Sequence, residues 1–239
     1  MVTVLQLSDT HLRAEPNTPA SNDPDASLAA TLRAVESVHA DLLLLTGDLA
    51  DDGSYEGVRR LGDAVGQLSP EIVAVAGNHD TVDNVRRVFG TRDTAEVGTW
   101  RLLVVETTIP GEDHGRVDVE DLIRRLDGLD DRPTLIALHH PPRSPSTNPM
   151  FQLIGADEML AALAVRRHVK AVVSGHLHEV CDYRVGALQL VGAPSTYYAI
   201  RHVGDAYELV DDGIVGAQLL TLGDDGSFSC ERVRRSLGC

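Results

Sequence analysis

Apolar and polar positions along this chain fall into two recurring patterns. Short, nearly uninterrupted apolar runs occupy 2–7, 42–45, 72–76, 134–138 and 171–173. They are rich in Val, Leu and Ile, and read as strands buried on both faces of a sheet. Between them lie segments of helical period. Leu28, Leu32, Val35 and Val38 mark one, and Val58, Leu61, Val65 and Leu68 a second. Val119, Leu122, Ile123, Leu126 and Leu129 mark a third, with charges on the opposite face. A fourth covers 157–168 with Met159, Leu160, Leu163 and Ala164 inward and Asp157 as its expected cap. His39 and His168 fall on these predicted helices as surface or capping residues. Strands alternating with helices predict a largely parallel sheet with helices packed outside.

After His178 the pattern changes. Short strand-like pieces at 187–191, 206–210 and 215–222 are joined by Gly/Asp groups, Asp211-Asp212-Gly213 and Asp224-Asp225-Gly226, that read as hairpin turns. They predict an antiparallel second sheet completing a sandwich. A run at 101–106 ends in no polar motif and reads as a structural strand. The polar segment 15–27 reads as a surface loop and not as a domain boundary. The expectation is a single domain over 1–239.

Each of the five apolar runs is followed at once by a polar motif. These are Asp9-Thr10-His11, Gly47-Asp48, Gly77-Asn78-His79-Asp80, His139-His140 and Gly175-His176-Leu177-His178. In α/β sheets ligands bind in the crevice outside the carboxyl ends of the strands. Any one motif alone is a turn or a loop. Five in order, from distant parts of the chain, make a metal-dependent active site. On a strand, residues i and i+2 share a side, so Asp9 with His11 and His176 with His178 are each expected to present two donors from one strand end. Imidazoles mixed with carboxylates and an amide suit first-row transition metals better than calcium, and no thiolate suggests a closed zinc site. Three carboxylate or amide donors with four imidazoles are too many for one ion. They suffice for two if one carboxylate bridges. Two cations about 3.5–4 Å apart form a clamp for displacement at phosphorus.

The rest of the composition narrows the substrate. The chain has 239 residues, 43% hydrophobic and 24% charged, with a formal charge of −15. That charge argues against a nucleic-acid polymer or an anionic membrane as partner. Three cysteines, Cys181, Cys230 and Cys239, form no Cys-x-x-Cys pair and no disulfide framework. No run approaches the roughly 18 apolar residues of a membrane span, and no signal-peptide pattern opens the chain, so a cytoplasmic location is expected.

In order and type, the five motifs resemble the signature of the calcineurin-like metallophosphoesterase superfamily over about three quarters of the chain. The resemblance implies a four-layer αββα sandwich, two mixed central sheets flanked by helices. It implies that Asp9, His11 and His178 hold one metal and Asn78, His139 and His176 the other, with Asp48 bridging. His79 would be the catalytic histidine near the leaving group. Ser8-Asp9-Thr10-His11-Leu12, Thr46-Gly47-Asp48-Leu49-Ala50-Asp51, His139-His140-Pro141-Pro142, Pro110-Gly111 with His114-Gly115, and Ala193-Pro194-Ser195-Thr196 look like bacterial class III cyclic nucleotide phosphodiesterases. Relatives of that kind use manganese, iron or zinc pairs and are commonly homodimers. Protein phosphatases continue Gly-Asp-x-x-Asp-Arg-Gly, where this chain reads Gly47-Asp48-Leu49-Ala50-Asp51-Asp52-Gly53. Asp52 in place of that arginine argues against a phosphoprotein substrate. Asp51 keeps the aspartate and is expected to orient His79.

Outside these motifs the residues say less. His140 is expected to orient a neighbour or border the substrate. His114 and His202 sit in loops at the substrate's edge, and Tyr197 and Tyr198 are candidates to stack on a nucleobase. The loop 141–151 is expected to supply Met150 and Phe151 as apolar walls. The expected reaction is hydrolysis of a small phosphodiester, foremost a 3′,5′-cyclic nucleotide, by a metal-bridging hydroxide. A hydrolase of another phosphodiester, such as a glycerophosphodiester, or of a phosphomonoester is the alternative. A non-catalytic scaffold is disfavoured because no ligand is missing, and a nuclease because no basic stripe exists.

Overall fold

The computed structural model describes residues 1–16, 23–211 and 213–234. Every apolar run that precedes a motif forms a strand. In chain order the first half gives β1 (Val2–Leu7), α1 (Pro24–Ala34), β2 (Leu42–Thr46), α2 (Tyr55–Val65), β3 (Ile72–Val75), α3 (Val82–Phe89), β4 (Thr94–Val97) and β5 (Trp100–Val104). The middle gives β6 (Gly115–Arg116), α4 (Val119–Asp127), β7 (Thr134–Ala137), a 3-10 turn (Pro149–Phe151), β8 (Leu153–Ile154), α5 (Ala156–Ala164) and β9 (Val169–Ser174). The tail gives β10 (Cys181–Val185), β11 (Leu188–Gly192), β12 (Ala199–Val203), β13 (Ala206–Val210), β14 (Gly216–Leu222) and β15 (Phe228–Arg234).

Two large sheets result. One has the order β15-β14-β1-β2-β3, the other β10-β11-β9-β7-β5-β4. The central strands β1, β2 and β3 are parallel, as are β5, β7, β9 and β11. Both sheets are mixed, because β14, β15, β4 and β10 pair antiparallel at their edges. The pleat sends alternate side chains to opposite faces. Val4, Leu44, Val75, Trp100, Leu102, Ala137 and Val173 meet between the sheets. Leu5, Leu7, Leu43 and Leu45 face Leu28, Val58, Leu61 and Val85 of α1, α2 and α3. Leu103, Ile136 and Val172 face Leu122, Leu126, Met159 and Leu163 of α4 and α5 on the other side. The layers are therefore helix, sheet, sheet, helix.

Several expectations are corrected. The tail does not build the second sheet. Its strands are divided: β14 and β15 extend the first sheet, β10 and β11 the second, and β12–β13 form a hairpin in neither. Otherwise unpaired edge N–H and C=O groups of the two sheets pair with β14 and β11, which carry β15 and β10 outside them. Asp224-Asp225-Gly226 does join a hairpin, β14 to β15. Asp211 and Gly213 do not, since β13 pairs with β12 and β14 with β1 and β15; Asp212 lies outside the described residues. The loop expected at 15–27 ends early, because α1 begins at Pro24 with Asp23 capping the Asp25 N–H. Helix α5 is preceded by Gly155 at φ 86° with no side-chain cap, and Asp157 sits inside its first turn. His39 and His168 lie in connections, after α1 and α5. Helix α3 was not anticipated: it has 8 residues, and its apolar positions follow a polar motif without a break.

Beneath the strand ends, a buried polar chain ties the layers. Gln218 Nε2 donates to Gln6 Oε1 at 2.6 Å, and Gln6 Nε2 donates to Thr46 Oγ1 at 2.9 Å and Ser174 O at 3.3 Å. This joins β14, β1, β2 and β9, three of which lead directly into motifs. Among the described residues no helix is long and apolar enough to cross a membrane. Cys181 and Cys230 are free thiols; Cys239 lies outside the described residues.

Candidate metal centre

The five motifs converge at the carboxyl ends of β1, β2, β3, β7 and β9. The two donor pairs do not use the strand pleat, as had been expected. The strands end at Leu7 and Ser174, and Asp9, His11, His176 and His178 have φ of 52°, 48°, 72° and 49°. Asp48 has φ 50°. Among the described residues, these five are the non-glycine positions with left-handed backbone. Such conformations cost of order 1–3 kcal/mol each and persist where the surroundings over-determine them. Turning the backbone this way brings both side chains of each pair into the cluster beyond the sheet.

Glycines make the close approach feasible. Gly47 has φ 93°, and a Cβ there would overlap the His139 ring. At Gly77 a Cβ would overlap the Asp48 carboxylate and its backbone nitrogen.

Each of the four imidazoles has one nitrogen fixed on an oxygen. His11 Nδ1 donates to Asp51 Oδ1 at 3.1 Å, and His139 Nδ1 to Thr46 O at 2.7 Å. His176 Nε2 donates to Met150 O at 2.9 Å, and His178 Nδ1 to Tyr198 O at 3.1 Å. Such partners set the tautomer and aim the other nitrogen. The remaining nitrogens of His11, His139 and His178 point at acceptors. His11 Nε2 lies 3.0 Å from His178 Nε2, and His139 Nε2 lies 3.1 Å from Asn78 Oδ1 and 3.4 Å from Asp48 Oδ1. Facing lone pairs repel unless a proton or a cation lies between them. The donor set therefore fits metal ions.

Asp48 stands between the two groups. Its Oδ1 faces His139 and its Oδ2 lies 3.8 Å from His11 Nε2. The His79 N–H donates to Oδ1 at 2.9 Å. Asp9 Oδ1 lies 3.5 Å from His178 Nε2, and both Asp9 oxygens accept from the His176 N–H. Asp9, His11, Asp48 and His178 form one group that could hold an ion; His139 and His176 fall in a second, with Asn78 against His139.

The electrostatics follow from burial against charge. Burial pushes the Asp48 carboxyl up, but His139, with His11 and His79, outweighs it and holds Asp48 well below the usual range. Burial lowers His139, yet Asp48 and Asp9 push it up to about 9. His11 is likewise raised against its burial by Asp51, Asp48 and Asp9. Asp9 is raised to about 6, chiefly by burial. Burial, with positive neighbours, lowers His176 to about 3 and His178 well below its ordinary value. The cluster thus keeps positive charge on His11 and His139 when nothing else supplies it.

The His79 ring is 40% exposed, beside the cluster. Its Nδ1 donates to the main-chain O of Asp51 at 3.0 Å, while the Asp51 carboxylate is 3.7 Å away. Asp51 therefore meets His79 through its backbone. The carboxylate instead takes His11 and, through Oδ2, the Arg13 Nε at 2.9 Å and Nη2 at 2.8 Å. The His11 hydrogen bond is the main cause that brings Asp51 down to about 2. Asp52, where phosphatases carry arginine, is exposed and bonds Ser54 and the Ala14 N–H.

Asp80 is a residue that the sequence reading left without a role. Its buried carboxylate accepts from the N–H groups of Leu49, Ala50 and Gly77 at 2.8–3.1 Å. It thereby ties the Asp48 turn to the Asn78 turn. Its place in Gly77-Asn78-His79-Asp80 was the available signal. His140 does not border a substrate: it is wholly buried, with Nδ1 on Thr107 Oγ1 at 2.8 Å and Nε2 on Asp113 O at 3.1 Å. Both ring nitrogens are occupied, so it lacks one for an ion despite lying near His139 and His176. His114 Nδ1 lies 3.8 Å from Glu112 Oε2. Tyr197 and Tyr198 lie beside the cluster, their ring centroids each 6.0 Å from that of His11. Of the expected loop walls, Phe151 packs on His176 at 5.4 Å, and Met150 contributes its carbonyl.

Comparison with known proteins agrees with this geometry. The chain is 31% identical over 237 residues to the 3′,5′-cyclic adenosine monophosphate phosphodiesterase CpdA of Pseudomonas aeruginosa, covering 94% of this chain and 87% of that protein. It is 30% identical to a probable cyclic nucleotide phosphodiesterase of Synechococcus, covering 82% and 80%. In fold it is similar to a dimetal phosphatase from Danio rerio, with a TM-score of 0.64 at 11% identity, covering 98% and 99% of the two chains. Residues 2–180 match the calcineurin-like phosphoesterase family. With that match and the His/Asp cluster at its strand ends, the chain belongs to the calcineurin-like phosphoesterases and is a metal-dependent phosphoric ester hydrolase.

Proposed function

We propose that the chain hydrolyses a 3′,5′-cyclic nucleotide at this cluster. In this reading Asp9, His11, Asp48 and His178 hold one ion of manganese, iron or zinc, and Asp48, Asn78, His139 and His176 hold the other. The observation that carries it is Asp48, with one carboxylate oxygen toward His139 and the other toward His11. Bound ions supply an activated water and positive charge for the phosphoryl oxygens.

The chain's own groups do the rest. His79 keeps its Nδ1–H on the Asp51 carbonyl; with Nε2 also protonated, the ring would give that second proton to the leaving oxygen and return to the neutral Nδ1–H form. Asp51 fixes His11 through its carboxylate, and Arg13 balances that carboxylate's charge. Tyr197 and Tyr198 offer aromatic faces beside His11, where a base could stack. The relatives named as cyclic nucleotide phosphodiesterases support the substrate. The net charge of −15 supports a small phosphoester over a polymer. A homodimer and a cytoplasmic location are part of the same proposal, to be checked by sedimentation and fractionation.

The deciding experiment is a turnover screen of manganese-loaded protein. It compares cyclic AMP, 2′,3′-cyclic AMP, a glycerophosphodiester and a phosphomonoester. Cyclic AMP is expected to show the highest kcat/KM. A higher value for the phosphomonoester or the glycerophosphodiester overturns the substrate assignment.

A further inference from the structure

We infer that the β12–β13 hairpin is the clamp that aims His176 and His178, with His202 as its central positioning residue. This rests on the reading that both histidines hold ions.

The hairpin belongs to neither large sheet and supplies none of the seven proposed ligands, yet it and Tyr198 just before it hold the His176-Leu177-His178 turn by three hydrogen bonds, two at His178 and one at Leu177. The His178 Nδ1 donates to Tyr198 O at 3.1 Å, the Ile200 N–H donates to His178 O at 3.0 Å, and His202 Nε2 donates to Leu177 O at 3.0 Å. That turn needs holding, because both histidines have left-handed backbone.

The hairpin's tip secures His176 as well. Gly204 O accepts from the Thr147 N–H at 2.8 Å and Ser146 Oγ at 3.2 Å, and Asp205 O accepts from Asn148 Nδ2 at 3.0 Å. Asn148 Oδ1 in turn accepts from the Met150 N–H at 3.1 Å. Those bonds place the Met150 carbonyl that receives His176 Nε2. The Phe151 ring is wedged between His176 and His202, at 5.4 Å and 4.4 Å.

His202 is chosen for its N–H and not for its shape. Its side chain is fully buried. Among the described residues its Nδ1 has no hydrogen-bond partner, which an apolar ring of the same size would avoid. What histidine adds there is the bond to Leu177 O, the carbonyl between the two proposed ligands, with Glu179 Oε2 3.9 Å from the same nitrogen.

The test is calorimetric titration of Mn2+ into metal-free wild type, His202→Phe, His202→Gln and Asn148→Ala, beside thermal melts of each metal-free protein. Gln can place an N–H where Nε2 stands; Phe keeps the ring and lacks the donor. His202→Phe is expected to weaken Mn2+ binding about 10–100-fold, with His202→Gln staying close to wild type and Asn148→Ala shifting in the same direction as Phe. Unchanged affinity in a cooperatively folded His202→Phe overturns the inference, as does a Gln variant as weak as Phe. Should His202→Phe fail to fold, Asn148→Ala decides: wild-type affinity there overturns the clamp. A wild type that binds no Mn2+ sinks the metal reading itself, a result distinct from unaltered variants.

Discussion

His11 and His178 come from opposite ends of the motif series, yet their Nε2 atoms stand 3.0 Å apart. Each ring is held from behind, His11 by the Asp51 carboxylate and His178 by the Tyr198 carbonyl. His11 is raised in pKa and His178 lowered, so a proton shared between them favours His11. A metal ion competes for the same place.

Metal binding should therefore release protons. His139 is raised to about 9 and His11 is raised as well, and both must lose a proton to become ligands. Calorimetric titration of Mn2+ in buffers of different ionisation enthalpy should show proton release at pH 7, with affinity rising between pH 7 and 9. In the metal-free protein the sign for stability is opposite. A histidine raised from 6.5 contributes stability that is full below 6.5 and lost as pH rises through about 9. A Mn2+ affinity flat across pH 7–9 would show that His139 holds no proton for the ion to displace.

Asp48 faces both groups, whereas Asp9 faces His178. Asp48→Ala should reduce kcat/KM at least ~10-fold further than Asp9→Ala and lower metal content toward one ion per chain or below. Metal analysis alongside steady-state kinetics measures both. Equal losses would mean that Asp48 does not bridge.

His79→Ala should reduce kcat by roughly 10²–10⁴ on a diester with a poor leaving group, and far less on a nitrophenyl diester, whose leaving group needs no proton. Metal content should be unaltered, since the His79 hydrogen bond to Asp48 comes from the main-chain N–H, which alanine keeps. Equal losses on both substrates remove the acid role.

His140 is buried and held neutral, lowered well below 6.5 by burial and by His176 and His139. A histidine lowered in this way contributes stability above pH 6.5 that is lost as pH falls from 6.5 toward its folded value. The stability difference between metal-free wild type and His140→Gln should shrink as pH drops from 7 to 5, by at most about 1.4 kcal/mol per pH unit. Urea unfolding at several pH values measures it. A difference that grows toward pH 5 contradicts a neutral His140.

Strand positions and the site motifs were legible because they follow from local pattern. Runs such as 42–45 have no polar position to show to water, and each ends in residues unsuited to a buried sheet. Helices α1, α2, α4 and α5 were legible through spacing, although their ends were not. Asp157 looked like a cap but lies in the first turn after Gly155. Helix α3 and strands β4, β10 and β12 escaped because they are short and partly exposed, and the seven-residue β15 because none of its positions is buried, so periodicity is weak there.

Sequence alone singled out the residues proposed to carry the chemistry: seven donors and a spare histidine, with Asp52 in the place of arginine. It also determined the strands that deliver them, because an apolar run long enough only for a strand declares itself locally. Tertiary structure decided how the donors converge. Left-handed turns at Asp9, His11, Asp48, His176 and His178 do it in place of the strand pleat, and such turns are stable only where distant groups hold them. The roles of Asp51, Asp80, His140 and His202 were decided in the same way. Each depends on which oxygen or nitrogen the fold brings to within about 3 Å, and that distance is a property of packing between segments remote in the chain.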